Sequence, residues 1–327
     1  MRTLDSLILG TAADTLAQAS TVLVCDDPTG DLERAALETG ARVLLLDSDY
    51  NRCQAAADGV EVAGDTRLDE FLGGAGVDGP CVAVGEMPKS LGRVDYLAAS
   101  IAAAGIAEAT VVFGGNNKHL SRSMNETLAA SFTDVAASRG RGKFRCLVAS
   151  GPREVAFEPR RADGFVAFGG VFSGAKEDRG GAMLRQALPS ELGRFLDLGC
   201  GNGSVSRGLE GAVSITVSIT ATDSDADAVL SARAIGLDAT WDDAGSRFDD
   251  ASFDTVALNP PFHDRAAVDA TQVQHLLDAA ARLLSPGGQL FMVHNSHLRY
   301  RGEVERRFSA VEQVARDTTF TVLRAVR

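Results

Sequence analysis

The 327-residue sequence has five cysteines (Cys25, Cys53, Cys81, Cys146 and Cys200), none in a Cys-x-x-Cys pair. Neither a disulfide framework nor a thiolate metal site is therefore expected, and a reduced cytoplasmic compartment fits. No run of about 18 uninterrupted apolar residues occurs that could span a bilayer, and Met1-Arg2-Thr3-Leu4-Asp5 opens no sustained apolar signal core. A soluble protein without a membrane partner is expected. The histidines His119, His263, His275, His294 and His297 lack metal-ligand spacing, so no metal is assigned. Positive charge is short as well: 32 lysines and arginines face 44 acids, for a net charge of -12. That balance argues against indiscriminate nucleic-acid binding, which relies on cations displacing the counterions of phosphate. The shortage is uneven, because nine lysines and arginines stand against four acids between Lys118 and Arg161. The basic middle is either a solvated segment or a phosphate-facing patch.

What is present is ordinary globular material, 45% hydrophobic and 23% charged with no long polar or repetitive tract, and long enough for two compact domains. The first half alternates apolar runs at 21–25, 42–46, 81–84, 110–113 and 144–148 with helix candidates such as Leu32 to Glu38 and Tyr96 to Ala104. Near-continuous apolar runs predict strands buried on both faces, as in a parallel sheet. Around residues 151–163 periodicity gives way to proline and charge, and the expected boundary falls there, with domains over 1–155 and 163–327. The second half repeats the alternation: strands at Phe195 to Leu198, across Ile215, Val217, Ile219 and Ala221, and at Phe253 to Leu258. A helix from Asp269 to Leu284, stopped by Ser285-Pro286-Gly287-Gly288, precedes a strand at Gln289 to Val293, and an antiparallel hairpin closes residues 310–327. The fold class is thus α/β, with two tandem Rossmann-like domains and an antiparallel edge on the second sheet.

Chemistry concentrates at two strand ends of the second domain. In Asp197-Leu198-Gly199-Cys200-Gly201-Asn202-Gly203, three alternating glycines permit positive φ and let a ligand approach the backbone. A dinucleotide site would show Gly-x-Gly-x-x-Gly, and an acid beside a pyrophosphate would be unwelcome. Asp197 suits a cationic or amine-bearing ligand instead, and the pattern resembles the first motif of S-adenosyl-L-methionine-dependent methyltransferases. Asp223 follows the last glycine by 20 residues, the interval expected of an acid that bonds ribose hydroxyls. Asp242 or Asp243 is then the candidate for the adenine. At 56 residues past Gly203, Asn259-Pro260-Pro261-Phe262 ends a strand. Its prolines pre-set the loop. The Asn259 carboxamide oxygen and the Pro260 carbonyl would accept the two N–H hydrogens of a conjugated exocyclic amine and favour the pyramidal nitrogen that attacks a methyl group. Phe262 would stack on the flat acceptor. These residues predict an amine methyltransferase. The acceptor stays open among an RNA base, DNA adenine and protein glutamine, and a non-catalytic RNA-binding or ribosome-assembly factor is the reading from another class.

The stretches Gly170-Val171-Phe172-Ser173, the glycine loop, Asn259-Pro260-Pro261-Phe262-His263-Asp264 and Asn295-Ser296-His297-Leu298-Arg299-Tyr300 resemble the ribosomal RNA guanine-N2 methyltransferases, small subunit methyltransferase C and large subunit methyltransferase G. The resemblance implies tandem methyltransferase-fold domains, the N-terminal one degenerate and given to RNA, and the C-terminal one a mostly parallel seven-stranded sheet. It implies S-adenosyl-L-methionine as cofactor, guanine N2 of ribosomal RNA, free or in a subunit, as acceptor, and Phe172, Pro261 and His263 as substrate contacts. A monomer is expected. Cys25-Asp26-Asp27-Pro28-Thr29-Gly30 and Gly85-Glu86-Met87-Pro88 stand where the first domain would carry its own loops, and neither could perform the chemistry above.

Overall fold

The computed structural model describes residues 1–209, 219–261 and 266–327. The chain divides into two compact units, one of Met1–Pro159 with Phe168–Gly170, the other of Arg160–Ala167 with Val171–Arg327.

In the first unit, β1 (Thr21–Cys25), β2 (Arg42–Leu46), β3 (Val60–Val62), β4 (Cys81–Glu86), β5 (Ala109–Asn116), β6 (Phe132–Ala137) and β7 (Phe144–Pro152) form one sheet in the order β3-β2-β1-β4-β5-β7-β6. All five residues of β1 are buried, as the apolar run requires of a strand covered on both faces. The run at 144–148 departs from the parallel expectation, because β7 is antiparallel to both β5 and β6. An apolar run reports burial and not strand direction. The helix expected from Tyr96 begins at Leu91, since Ser90 stands as its extended N-cap residue and the first turn forms directly after it, ahead of the apolar stripe. The segment 151–163 is also more regular than its composition suggests: Gly151 and Pro152 complete β7, and β8 (Arg160–Ala162) pairs with β9 (Phe165–Ala167) in an antiparallel hairpin.

The second unit holds β10 (Phe195–Leu198), β11 (Ile219–Asp223), β12 (Asp238–Trp241), β13 (Phe253–Leu258), β14 (Leu284–Asn295), β15 (Ser309–Arg316) and β16 (Phe320–Val326), in the order β12-β11-β10-β13-β14-β16-β15. Strand for strand this repeats the first sheet, with β14–β16 and β15–β16 antiparallel. Side chains alternate across the sheet: Leu196, Leu198, Val256 and Leu258 pack into one core layer, while Phe195, Ala221, Ala257 and Phe291 pack into the other. Ile215 and Val217 lie outside the described residues. The helix runs Ala266–Leu283. Ser285-Pro286-Gly287-Gly288 does not terminate it as a separate turn but forms a bulge inside β14: Phe253 pairs with Leu284 and Thr255 with Gln289. Gly287 supplies a φ of +80°, and a Cβ on Gly288 would lie 2.9 Å from the Ser285 carbonyl. Residues suited to a turn serve a bulge equally well.

At the carboxyl ends of β1 and β2 in the first unit, a cavity of about 300 Å³ is lined by acids already engaged by the unit's own groups. The Asp27 carboxylate accepts from the amides of Leu32 and Glu33 at 2.9 and 3.0 Å, so it occupies the start of the helix Asp31–Glu38. Asp47, just beyond β2, is 1% exposed, and the Arg52 guanidinium holds both of its oxygens at 2.6 and 2.7 Å.

Candidate active site

At the carboxyl edge of the second sheet the glycine loop leaves β10 with φ of +79°, +52° and +82° at Gly199, Gly201 and Gly203, conformations that L side chains rarely adopt. The three glycines serve two purposes. A Cβ on Gly199 or Gly201 would meet nothing within 4 Å, so this backbone borders open space. A Cβ on Gly203 would lie 2.7 Å from Ile235 and from Leu237, and the Gly203 amide already donates to the Cys200 carbonyl at 2.9 Å. Gly203 faces inward and makes room for packing. Cys200 is turned the same way, its buried side chain joining the core layer of Phe195 and Ala221, which leaves only its backbone for a ligand.

The acids are placed with more discrimination than their spacing alone conveys. Asp223 ends β11, and its carboxylate accepts from the Gly201 amide at 2.9 Å and the Asp225 amide at 3.0 Å, tying the glycine loop to the neighbouring strand. Burial raises its pKa above the ordinary carboxylate value. Asp197 lies within β10, fully buried, and accepts from the Ser206 hydroxyl at 2.6 Å. Desolvation pushes its pKa up to about 7, opposed by the Ser206 hydrogen bond and reinforced by the charge of Asp223. Asp242 and Asp243 separate clearly. Asp242 is 1% exposed, and one of its oxygens accepts from the Thr222 hydroxyl at 2.7 Å and the Gly245 amide at 2.8 Å. Asp243 is turned to the surface, where it pairs with His275 Nε2 at 2.9 Å.

Asn259 follows β13, beside a buried Pro260 and a half-buried Pro261. Phe262 and His263 lie outside the described residues. The Asn259 amide nitrogen donates to an Asp178 carboxylate oxygen at 2.9 Å. That same oxygen accepts from the Gly181 amide at 2.7 Å and thereby caps the helix Arg179–Ala187. A chain of hydrogen bonds continues from there: the Asp178 amide donates to Ser204 Oγ at 2.8 Å, Ser204 Oγ to Asn202 Oδ1 at 2.7 Å, and Asn202 Nδ2 to the carbonyls of Gly174 and Lys176 at 2.8 Å. The segment before the helix is therefore stitched to both the glycine loop and the Asn259 loop. It also carries Phe172, which is 58% exposed and follows a Val171 packed against Ala167 and Ala228. Asp178 escapes sequence reading because an acid before a helix reads as a cap, and 81 residues separate it from Asn259.

Among the described residues, Asp197 Oδ1, Asp242 Oδ2 and Asn259 Oδ1 are buried without a hydrogen-bond partner. An unsatisfied buried polar group costs about 1–3 kcal/mol. These three acceptors lie on or just after β10, β12 and β13, whose strands with β11 form an unbroken part of the sheet. The arrangement suits a ligand rich in N–H donors laid across the strand ends, where open α/β sheets take their ligands.

The methyltransferase small domain family matches residues 164–324. The chain is 29% identical to ribosomal RNA large subunit methyltransferase G of Alcanivorax borkumensis, over 94% of this chain and 84% of that protein. It is 35% identical to ribosomal RNA small subunit methyltransferase C of Chromohalobacter salexigens, over 48% of this chain and 50% of that protein, so this match spans about half of the relative's length. A 16S rRNA N2 methyltransferase of T. thermophilus, solved in complex with AdoMet and guanosine, superposes with a TM-score of 0.71 over 97% of this chain and 92% of that one. At 24% identity this last likeness is one of fold. Its coverage takes in both seven-stranded sheets. Among the described residues no helix is long and apolar enough to cross a membrane, and no cluster of three or more His, Cys, Asp or Glu is grouped to hold a metal.

Proposed function

Because the chain belongs to the methyltransferase family that includes ribosomal RNA large subunit methyltransferase G and small subunit methyltransferase C, we propose that it methylates an exocyclic amine of ribosomal RNA, the N2 of guanine, with S-adenosyl-L-methionine as methyl donor. The observation that carries this reading is the trio of buried, unpartnered oxygens on Asp197, Asp242 and Asn259. When bound, the cofactor supplies a methyl group activated by its sulfonium. Its own donors match the acceptors this chain offers: Asp197 would face the α-amino group, Asp223 the ribose hydroxyls and Asp242 the adenine amine. The backbone at Gly199 and Gly201, open where a Cβ would stand, lets the loop lie against the ligand. Asp243, engaged by His275, is the weaker candidate for adenine.

Asn259 Oδ1 and the Pro260 carbonyl would each accept one N–H of the guanine amine. Drawing on both hydrogens withdraws the nitrogen lone pair from conjugation with the ring and directs it toward the methyl group. Pro260 has no N–H to compete for the acceptor. A guanine must leave its stack to reach this edge. The exposed Phe172 offers a face on which a base could stack.

RNA is also favoured by the distribution of charge in the first unit. Lys118, Arg139, Arg141, Lys143 and Arg145 are exposed, and none forms an ion pair among the described residues. They gather at the end of β5 and the start of β7, where the Asn117 amide donates to the Lys143 carbonyl at 2.9 Å. Unpaired cations on an acidic chain are available to phosphates. The test is methyl transfer from labelled S-adenosyl-L-methionine to protein-free ribosomal RNA, ribosomal subunits, DNA and a glutamine peptide, followed by nucleoside analysis. N2-methylguanosine is expected. Label in adenine or glutamine, or cofactor binding with no transfer to any acceptor, overturns the reading.

A further inference from the structure

We infer that Asp178 is a positioning residue, which holds the Asn259 carboxamide with its NH2 turned away from the reacting edge and its Oδ1 presented as an acceptor. The inference rests on the proposed amine methylation. A carboxamide has two ends of nearly equal shape, one a double donor and one an acceptor. Only the acceptor end can receive an N–H from the substrate; with the amide reversed, two donors would confront each other. A carboxylate resolves the choice because it offers oxygens alone. The Asp178 oxygen 2.9 Å from Asn259 Nδ2 compels the NH2 to face it, and the oxygen at the other end is left buried and unpartnered.

Asp178 is itself held in place. Its bonding oxygen is pinned by the Gly181 amide at 2.7 Å, its other oxygen accepts from the Ser173 hydroxyl at 3.3 Å, and its backbone amide donates to Ser204 Oγ at 2.8 Å. Gly180 leaves the space this needs, since a Cβ there would stand 3.1 Å from the Asp178 oxygen and 3.4 Å from Asn259 Oδ1. Ser204 belongs to the same turn as Asn202, so the cofactor loop and the acceptor-binding amide share one framework.

Capping and orienting can be separated by substitution. In Asp178→Asn the amide oxygen can keep both bonds, to Gly181 and to Asn259, while the new NH2 donates to Ser173 Oγ. In Asp178→Ser the hydroxyl still caps the helix, serine being as good an N-cap as aspartate, but the side chain is too short to reach Asn259. We expect Asp178→Ser to keep its helix cap and melt within a few degrees of the parent protein, to bind S-adenosyl-L-methionine with unchanged affinity, and to lose kcat by about 10–100-fold, the range of one hydrogen bond to a charged group, with KM for RNA within about threefold. Asp178→Asn should retain most of kcat. Full activity in Asp178→Ser, or Asp178→Asn crippled as far as Asp178→Ser, overturns the inference. Exchange of the Asn259 side-chain NH2 with water, assigned in NMR spectra by its disappearance in Asn259→Ala, supplies a readout independent of turnover: it should accelerate in Asp178→Ser and stay slow in Asp178→Asn. A parent protein that methylates no RNA would fail the functional reading by itself, whereas Asn259→Ala inactive beside a fully active Asp178→Ser would fail only the positioning role.

Discussion

Replacing Asp197 with asparagine should change how stability depends on pH, with a sign and a size that follow from its burial. The carboxyl is fully buried with a pKa of about 7, against 3.8 for the unperturbed group. A raised acid is favoured in its protonated form by folding, so its contribution is fully present below the unfolded pKa and is lost as pH rises through the folded value, a window from about pH 4 to pH 7. A tenfold change in an ionisation constant is worth about 1.36 kcal/mol, so the rise from 3.8 to about 7 amounts to roughly 4 kcal/mol lost by about pH 8. Asparagine has nearly the same shape and does not titrate. Its oxygen can accept from Ser206, but its NH2 takes the place of the unpartnered Oδ1, a constant cost of about 1–3 kcal/mol. The variant should therefore be less stable than the parent near pH 4 and more stable near pH 8, with the difference moving by about 4 kcal/mol between them. Trp241 is the single tryptophan of the chain and lies in the second unit, so its fluorescence during urea unfolding follows the relevant domain. Parallel stability curves for the two proteins between pH 5 and pH 8 would refute the reasoning. Binding of the cofactor's ammonium beside Asp197 should also release a proton near pH 7, visible as a buffer-dependent calorimetric heat that vanishes in the variant.

Three further perturbations probe the glycine loop and the charged face. Gly203→Ala should destabilise the second unit by about 2–4 kcal/mol, because a methyl group at φ +82° would meet Ile235 and Leu237 at 2.7 Å. Gly201→Ala, at φ +52° with open space around it, should cost only about 1–2 kcal/mol of stability while weakening S-adenosyl-L-methionine binding at least about tenfold through contact with the ligand. Thermal melts and titration calorimetry on both variants check the contrast, which fails if both lose stability equally. Neutralising Arg139, Arg141, Lys143 and Arg145 together to glutamine should lower the slope of log affinity against log salt for single-stranded RNA by about three, at roughly 0.7 per lost phosphate contact. An unchanged slope assigns the RNA contacts to another face.

Much of the fold was legible because it depends on local burial and local stereochemistry. The apolar runs of β1, β2 and β10 are buried strands, and the C-terminal residues do form an antiparallel pair at the sheet edge. Strand direction was not legible in β7, since an apolar run looks the same either way. Nor were β3 and β6: β3 is three residues long with no fully buried position, and β6 buries only its first residue, so neither has an apolar run to show. Proline and glycine at 286–288 signalled a turn and formed a bulge, a distinction made by the pairing of Phe253 with Leu284 and Thr255 with Gln289.

For the site, sequence by itself determined the residue types and the conformations they permit: glycines able to hold positive φ, an acid at a strand end, an asparagine followed by two prolines. Tertiary structure decided what each of them faces. It set Gly199 and Gly201 toward open space and Gly203 into packing, left Asp242 rather than Asp243 with the unpartnered buried oxygen, and brought Asp178 against Asn259 across 81 residues. Backbone conformation is chosen by neighbours along the chain, whereas the partner of a side chain is chosen by which strands lie side by side. Sheet order is a long-range outcome that no short stretch of sequence contains.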